Sequence, residues 1–410
     1  MGVADMFDDD QKEVSPVTRT STYDFETLVD RTDTGSAKWE LMRERGGDVP
    51  AGIAPFSTAD LDFLPAPEIT RGLQKHLEGA VLGYTGPTPA FFSAIQMWQA
   101  VRHRWAIDTS WISLMPGVVT GLFAAVRAAS EQGDGVALLT PAYPPMVDSI
   151  EKTGRRVVRV PLDGEGGRYR LDFAALAEAL EGDDVSALML CSPHNPTGRV
   201  WTYTELEEIA HLARANDVTV IADEIHADIV HEGFEHIPFA AISEDATSRT
   251  ITLSSASKSF NLAGIQTSWA ITENAELRTA YERELEAWGF HFVNCLGYPA
   301  TELAYTKAGE WLEGLLELIA RNDRVSREFF AQHFPGVVIS PLEGTYLQWI
   351  DFRPLGIDES ELTRLHDEEA HVFFEHGRSF GAPGFERLNL GTPTRVLEEA
   401  LARLAKVHGR

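Results

Sequence analysis

The sequence predicts an α/β protein built on a largely parallel sheet with helices on both faces. Short runs of apolar, β-type residues stand at 136–140, 187–191, 218–222 and 250–253. Apart from threonines they are apolar, as strands buried on both faces require. Between the second and third lies a stretch of helical period, 203–216. Thr202 opens it with Glu205 three residues on, a capping box, and Leu206, Ile209, Ala210 and Ala213 form its buried stripe.

Taken in order, residues 1–20 are polar and acidic and read as a flexible tail. Pro116-Gly117-Val118-Val119-Thr120 leads into helical texture over 121–130, followed by the first of the four strands. Late in the chain the texture changes. Amphipathic stretches at 311–322 and 359–376 surround a short strand at 345–351, which predicts a second, smaller α/β unit.

Composition excludes several classes of function. The 410 residues are 44% hydrophobic and 24% charged, an ordinary globular mix, and long enough for two or three domains with a cleft between them. Asp and Glu number 62 against 35 Lys and Arg, a formal net charge of -27. Such a chain, lacking a basic patch, is repelled by nucleic acid and by anionic membrane. Two cysteines, Cys191 and Cys295, make neither a disulfide framework nor a cysteine-rich zinc site. No apolar run approaches the roughly 20 residues of a membrane span. The first residues carry aspartates where a signal peptide needs positive charge, and Met6 stands where myristoylation needs Ser or Thr. A cytoplasmic protein is the expectation.

Ligands of open α/β sheets sit at the carboxyl ends of the strands, and four segments there have unusual polar content. Gly117 at a helix start lets backbone amides approach a phosphate, although glycines near helix starts are common. The segment from Ser192 to Gly198, with two prolines, fixes a tight turn around Asn195, which can also serve the turn alone. The third segment, Ala222-Asp223-Glu224-Ile225-His226, places an acid at a strand end, where it needs a cation or strong donor to stay charged. A metal site of Asp223, His226, Asp228 and His231 is the rival. Its histidines are five apart, however, and no cysteine is near. In the fourth, Ser254-Ser255-Ala256-Ser257-Lys258, small residues flank a lysine, so that a planar group can lie against it. Lysine in such a pocket can lose its proton and act as nucleophile or base.

Together these parts describe one ligand. A phosphate cradle, an asparagine donor, a buried aspartate and a reactive lysine are what pyridoxal 5'-phosphate requires. Tyr143, in Pro141-Ala142-Tyr143-Pro144, also follows a strand and could stack on its ring.

In the segments SPHNPTGRVW, ADEIHADIV, SASKSFNLAG, PAYPP, LGYTGPT, STADLDF, LEGTYLQW and GFERLN, the chain resembles the fold-type I pyridoxal-phosphate enzymes, the aspartate aminotransferase superfamily. More closely it is similar to the MalY/PatB branch of cystathionine β-lyase-like cysteine-S-conjugate β-lyases, from about Tyr23 to Leu404. The resemblance implies an aspartate aminotransferase-like fold. A large cofactor-binding domain would span 60–298, and a smaller α/β domain would combine 21–59 with 299–410. It implies that Lys258 forms the Schiff base, Asp223 pairs with the pyridinium nitrogen, and Asn195 bonds the ring oxygen, with Tyr143 against the ring. Val118 and Val119 amides, Ser255 and Ser257 would hold phosphate, and His226 would join the cofactor contacts. Tyr84 would reach the site of a neighbouring subunit in a homodimer, and Arg387 would clamp the substrate carboxylate, its alternative being a surface ion pair with a nearby Glu.

Two departures from relatives stand out. Gln266 occupies a position, eight residues after the lysine, where aminotransferases of the superfamily usually carry a phosphate-binding arginine. Many MalY-like proteins read MWVADMDF where this chain has FSTADLDF, so the tryptophan is lost from the pocket mouth. The implied reaction is β-elimination from cystathionine or another cysteine S-conjugate, yielding a thiol, pyruvate and ammonia. Transamination by the same residues and a regulatory binding role are the competing readings.

Overall fold

The computed structural model describes residues 23–182 and 184–410; the expected acidic tail at 1–20 lies outside them. Seven strands form the larger sheet: β1 (Ile112–Met115), β2 (Gly135–Thr140), β3 (Arg156–Pro161), β4 (Val185–Cys191), β5 (Thr219–Asp223), β6 (Thr250–Ser254) and β7 (Ser268–Ile271). Their order is β1-β7-β6-β5-β4-β2-β3. β7 runs antiparallel to both neighbours, and the remaining pairs are parallel.

Alternate residues of the central strands serve two different cores. Val136 and Leu138 of β2 join one apolar cluster, whereas Ala137 and Leu139 join another, as the two-residue period of a strand requires. β4 divides in the same way, Ala187 and Met189 from Leu188 and Leu190. Each of the four expected apolar runs is a strand, displaced or extended by no more than two residues.

The helix Tyr203–Ala215 covers one face with the four expected residues buried. Its capping box is formed: Glu205 N–H donates to Thr202 Oγ1 at 3.2 Å, and Thr202 N–H to Glu205 Oε2 at 2.8 Å. On the other face the helix Val118–Ala129 packs through Leu122, Ala125 and Val126. Gly121 permits its close approach, since a Cβ there would fall 2.1 Å from Met115 Sδ.

The smaller sheet contains β8 (Val338–Ile339), β9 (Leu347–Asp351), β10 (Glu375–His376) and β11 (Phe385–Asn389), antiparallel in the order β10-β11-β9-β8. Leu347, Ile350 and Leu388 share a core with the helices Gly309–His333 and Thr394–Val407. Trp349 instead joins the core under β2 and β4, and its indole N–H donates to Tyr169 Oη at 3.0 Å.

One expectation is corrected. The stretch 359–376 is not a single amphipathic helix. It is α-helical only over Glu359–Thr363, continues as a π-helical turn over Arg364–Glu369, and ends in β10. Val372, Phe373 and Phe374 are all buried, and three consecutive residues cannot share one face of a helix. The helix expected over 311–322 runs on to His333. No helix among the described residues is long and apolar enough to cross a membrane.

Candidate active site

Parallel pairing brings several strand ends to one place. Asp223 is the last residue of β5, and its register partner Cys191 is the last of β4, four residues before Asn195. Lys258 follows β6 by four residues, Tyr143 follows β2 by three, and Gly117 follows β1 by two. A cavity of about 220 Å³ is lined by residues from all five segments, including Gly117, Tyr143, Asn195, Asp223 and Lys258.

The two charged groups at its centre are both perturbed. Burial pushes the Asp223 carboxyl up to about 7, against the Ile225 amide and the charge of Lys258. Ile225 N–H donates to Asp223 Oδ1 at 3.1 Å, and the other oxygen has no partner among the described residues. Burial likewise draws the Lys258 amine down to about 8, with Asp60 opposing the fall and Arg387 assisting it. Lys258 Nζ donates to the Ala59 carbonyl at 2.6 Å, which also accepts from Tyr346 Oη at 3.1 Å.

The helix Val118–Ala129 presents its amino end to the same cavity. Its N-cap, Gly117, sits at φ 105 and no side chain caps it, so the first-turn amides have no partner within the helix. Pro116, Val118, Val119 and Thr120 line the cavity there. Ser257 lines it too, whereas Ser255 is buried behind the loop, donating from Oγ to the Thr267 carbonyl at 2.8 Å and accepting Ser257 N–H at 3.1 Å. Gln266 also lines the cavity, its Oε1 close enough to Gly117 to touch a Cβ there at 3.4 Å.

His226 faces the cavity with Nδ1 buried and unpartnered. Burial, then the nearby Lys258 and Arg387 charges, hold its imidazole neutral with a pKa of about 3. Tyr143 lines the opposite part and its hydroxyl is pushed up by burial.

Arg387, on β11, is 3% exposed. Nη1 donates to Asn195 Oδ1 at 3.0 Å and Nη2 to the Ser57 carbonyl at 3.0 Å, while Nε is buried without a partner. It forms no ion pair with a carboxylate among the described residues; its neighbour Glu386 pairs with His376 on the other side of the strand. A buried guanidinium with no carboxylate in ion-pair distance, only the charge of Glu375 acting from the paired strand, is built to receive an anion. The Asn195 oxygen is taken by Arg387, which leaves the amide N–H groups as donors.

Other residues singled out in the sequence lie elsewhere. Tyr84 is 98% exposed, with its ring 6.1 Å from that of Phe292, and does not line the cavity of its own chain. The metal rival is dispersed. Asp228 accepts from Trp98 Nε1 at 2.8 Å and Ser259 Oγ at 2.6 Å and lies 2.8 Å from His103 Nε2, while His231 Nε2 lies 2.8 Å from the Thr345 carbonyl. Ala59, Asp60 and Tyr346 had no assigned role in the sequence, although the STADLDF and LEGTYLQW segments contain them.

Residues 52–404 match the model of the aminotransferase class I and II family. The chain belongs to this family. It is 35% identical over 382 residues to cystathionine beta-lyase PatB of Bacillus subtilis, covering 93% of this chain and 98% of that protein. Protein MalY of Escherichia coli is 34% identical over 386 residues, with 93% and 98% covered. Among solved structures, cystalysin from Treponema denticola, which contains pyridoxal 5'-phosphate, superposes with a TM-score of 0.93 at 39% identity, covering 94% of this chain and 99% of that one. The chain is thus a fold-type I pyridoxal-phosphate enzyme of the MalY/PatB family.

The donor set fits that cofactor. A primary amine stands ready for an aldehyde, a buried carboxylate for a ring cation, unpartnered first-turn amides for a phosphate, and the Asn195 amide for a ring oxygen.

Proposed function

We propose that this enzyme is a carbon–sulfur lyase that cleaves L-cystathionine or a related cysteine S-conjugate by α,β-elimination, yielding a thiol, pyruvate and ammonia. The observation that carries the reading is Lys258, an amine drawn down to about 8 in one cavity with the buried Asp223. The names of the PatB and cystalysin relatives support it.

Each side chain has a definable task. Asp223 would hold the proton on the ring nitrogen of pyridoxal phosphate, since a carboxylate beside a cation lowers the energy of the charged form. Val118 and Val119 amides and Ser257 would bind its phosphate, with Ser255 bracing Ser257 by accepting its N–H. Asn195 would donate to its ring oxygen, with Tyr143 against the ring and a neutral His226 beside it. Arg387 takes the substrate carboxylate and orients the Cα–H bond toward Lys258. With the cofactor bound, Lys258 would remove that proton. Burial lowers the pKa of this amine, which favours the neutral form able to accept a proton. The bound cofactor supplies an electron sink for the pair left on Cα. That pair would then form the Cα–Cβ double bond as the Cβ–S bond breaks and the thiolate leaves with its electrons, to be protonated to the thiol; water would hydrolyse the released enamine to pyruvate and ammonia.

The same reading makes the protein a cytoplasmic homodimer divided into domains at 60–298 and at 21–59 with 299–410. Tyr84 would enter the phosphate site of a second copy. Support comes from its exposure beside exposed Val81, Leu82 and Phe292, since contiguous exposed apolar surface marks an interface. The free cysteines suit a reducing compartment.

The test is product analysis with the holoenzyme. L-cystathionine should yield equimolar pyruvate and homocysteine. Glutamate formed from 2-oxoglutarate, without pyruvate, would instead establish transamination.

A further inference from the structure

Beside the cofactor cavity lies a second one of about 570 Å³, and the two share Lys258 and Ala59 as walls. The leaving group of a large cysteine conjugate must extend out of the cofactor cavity, and this neighbouring space can take its far end. Besides Lys258, four charged residues line it, Arg31, Lys38, Asp60 and Asp62.

Two of these charges satisfy each other. Lys38 Nζ donates to Asp62 Oδ1 at 2.8 Å, and both side chains are almost completely buried. The other two remain open to the cavity, Arg31 being 22% exposed and Asp60 24%. Arg31 Nη1 donates to Asp60 Oδ2 at 2.7 Å, yet Arg31 Nε and Nη2 have no hydrogen-bond partner. The separation of Nη2 from Asp62 Oδ1, 3.7 Å, is too long for one. Asp60 is also the strongest charge opposing the fall of the Lys258 amine. One carboxylate thus acts on both the reactive amine and the Arg31 guanidinium, and two nitrogens of that guanidinium are unused.

We infer that this cavity binds the distal amino-acid head of the substrate, Arg31 taking its carboxylate and Asp60 its ammonium, so that the enzyme selects conjugates carrying a second zwitterion. The inference deepens the proposed lyase function and rests on it. Apart from Lys258, which the cofactor would engage, its two cations and two anions balance, which disfavours a leaving group with one uncompensated charge. A guanidinium edge with free N–H groups fits a carboxylate by paired hydrogen bonds. A site built on such groups discriminates against analogues that leave them unpaired.

The experiment compares kcat/KM for pyruvate release by the holoenzyme on four substrates: L-cystathionine, S-ethyl-L-cysteine, S-(2-aminoethyl)-L-cysteine and S-carboxymethyl-L-cysteine. Wild type should favour L-cystathionine over the other three by at least about ten-fold. Arg31→Gln should lose on the order of ten- to hundred-fold on L-cystathionine, chiefly through KM, while changing S-ethyl-L-cysteine less than about three-fold. Calorimetric binding of L-cystathionine to a Lys258→Ala background should weaken similarly when Arg31→Gln is added. Equal activity of wild type on all four substrates overturns the inference. So does an equal loss on both test substrates by Arg31→Gln, with or without loss of a dimer, which would assign Arg31 to folding or subunit contact. Absence of pyruvate from every substrate would instead overturn the lyase reading itself.

Discussion

Arg387 Nη1 donates to Asn195 Oδ1 at 3.0 Å across 192 residues of sequence. The guanidinium fixes which end of the amide faces the cavity, and the amide in turn holds the guanidinium. Arg387→Ala should raise KM roughly hundred-fold, with Arg387→Lys recovering only part of it, because a point charge cannot make both bonds. The effects of Arg387→Ala and Asn195→Ala should be less than additive in a double-mutant cycle, since each removes the other's partner.

Asp223 couples cofactor binding to pH. In the free site its carboxyl titrates at about 7, and a cationic ring requires the ionised form. Affinity for pyridoxal phosphate should therefore fall as pH drops below about 7, approaching ten-fold per unit. Equilibrium dialysis across pH 5 to 8 measures it. Asp223→Asn should remove this carboxyl's part of the dependence, leaving that of the Lys258 amine, and lower kcat by three or more orders of magnitude, because the ring nitrogen loses its counter-charge.

Gly117 is predicted to be intolerant of a side chain. Its φ of 105 lies in the region L residues rarely adopt, and a Cβ would touch Gln266. Gly117→Ala should weaken cofactor binding by ten-fold or more through displaced amides while the helix behind it stays folded, as fluorescence titration and circular dichroism would report.

The smaller sheet carries a stabilising charge cluster. His376 Nδ1 is 3.0 Å from Glu386 and Nε2 is 3.1 Å from Asp367, with Arg45 bonded to Asp367 and in contact with His376. Burial lowers the imidazole, but hydrogen bonds to Asp367 and Glu386 raise it further, to about 9. A folded pKa above the unfolded value means stability that is full below about pH 6.5 and lost as pH rises through 9. The contribution is on the order of 2 kcal/mol. Urea denaturation of His376→Gln between pH 6 and 10 should show a flatter profile than wild type.

Asp228 secures the loop that bears the reactive lysine. Its three hydrogen-bonded neighbours are Trp98, His103 and Ser259, the last adjacent to Lys258. Asp228→Ala should destabilise the protein by about 3 kcal/mol, leaving buried donors unpaired. Asp228→Asn, which keeps two acceptor lone pairs and the side-chain shape, should lose less. Chemical denaturation curves would separate them.

The local features were legible in the chain itself. The capping box of Thr202 and Glu205, the apolar runs of β2, β4, β5 and β6, and the glycine opening the helix Val118–Ala129 all depend on neighbours within a few residues. Backbone preference and period therefore write them directly into the sequence. The stretch 359–376 shows where this fails. Its helical period is real at first, but the burial of three consecutive residues against a distant core overrode it. Tertiary structure alone decided that the Ala59 carbonyl accepts from both Lys258 and Tyr346, that Arg387 faces Asn195 with no carboxylate in ion-pair distance, and that Arg31 pairs with Asp60. These groups lie 85 residues or more apart, or depend on a turn between them. No local pattern encodes such a meeting; it arises only when parallel pairing brings the strand ends to one side and packing excludes the water that would otherwise satisfy them.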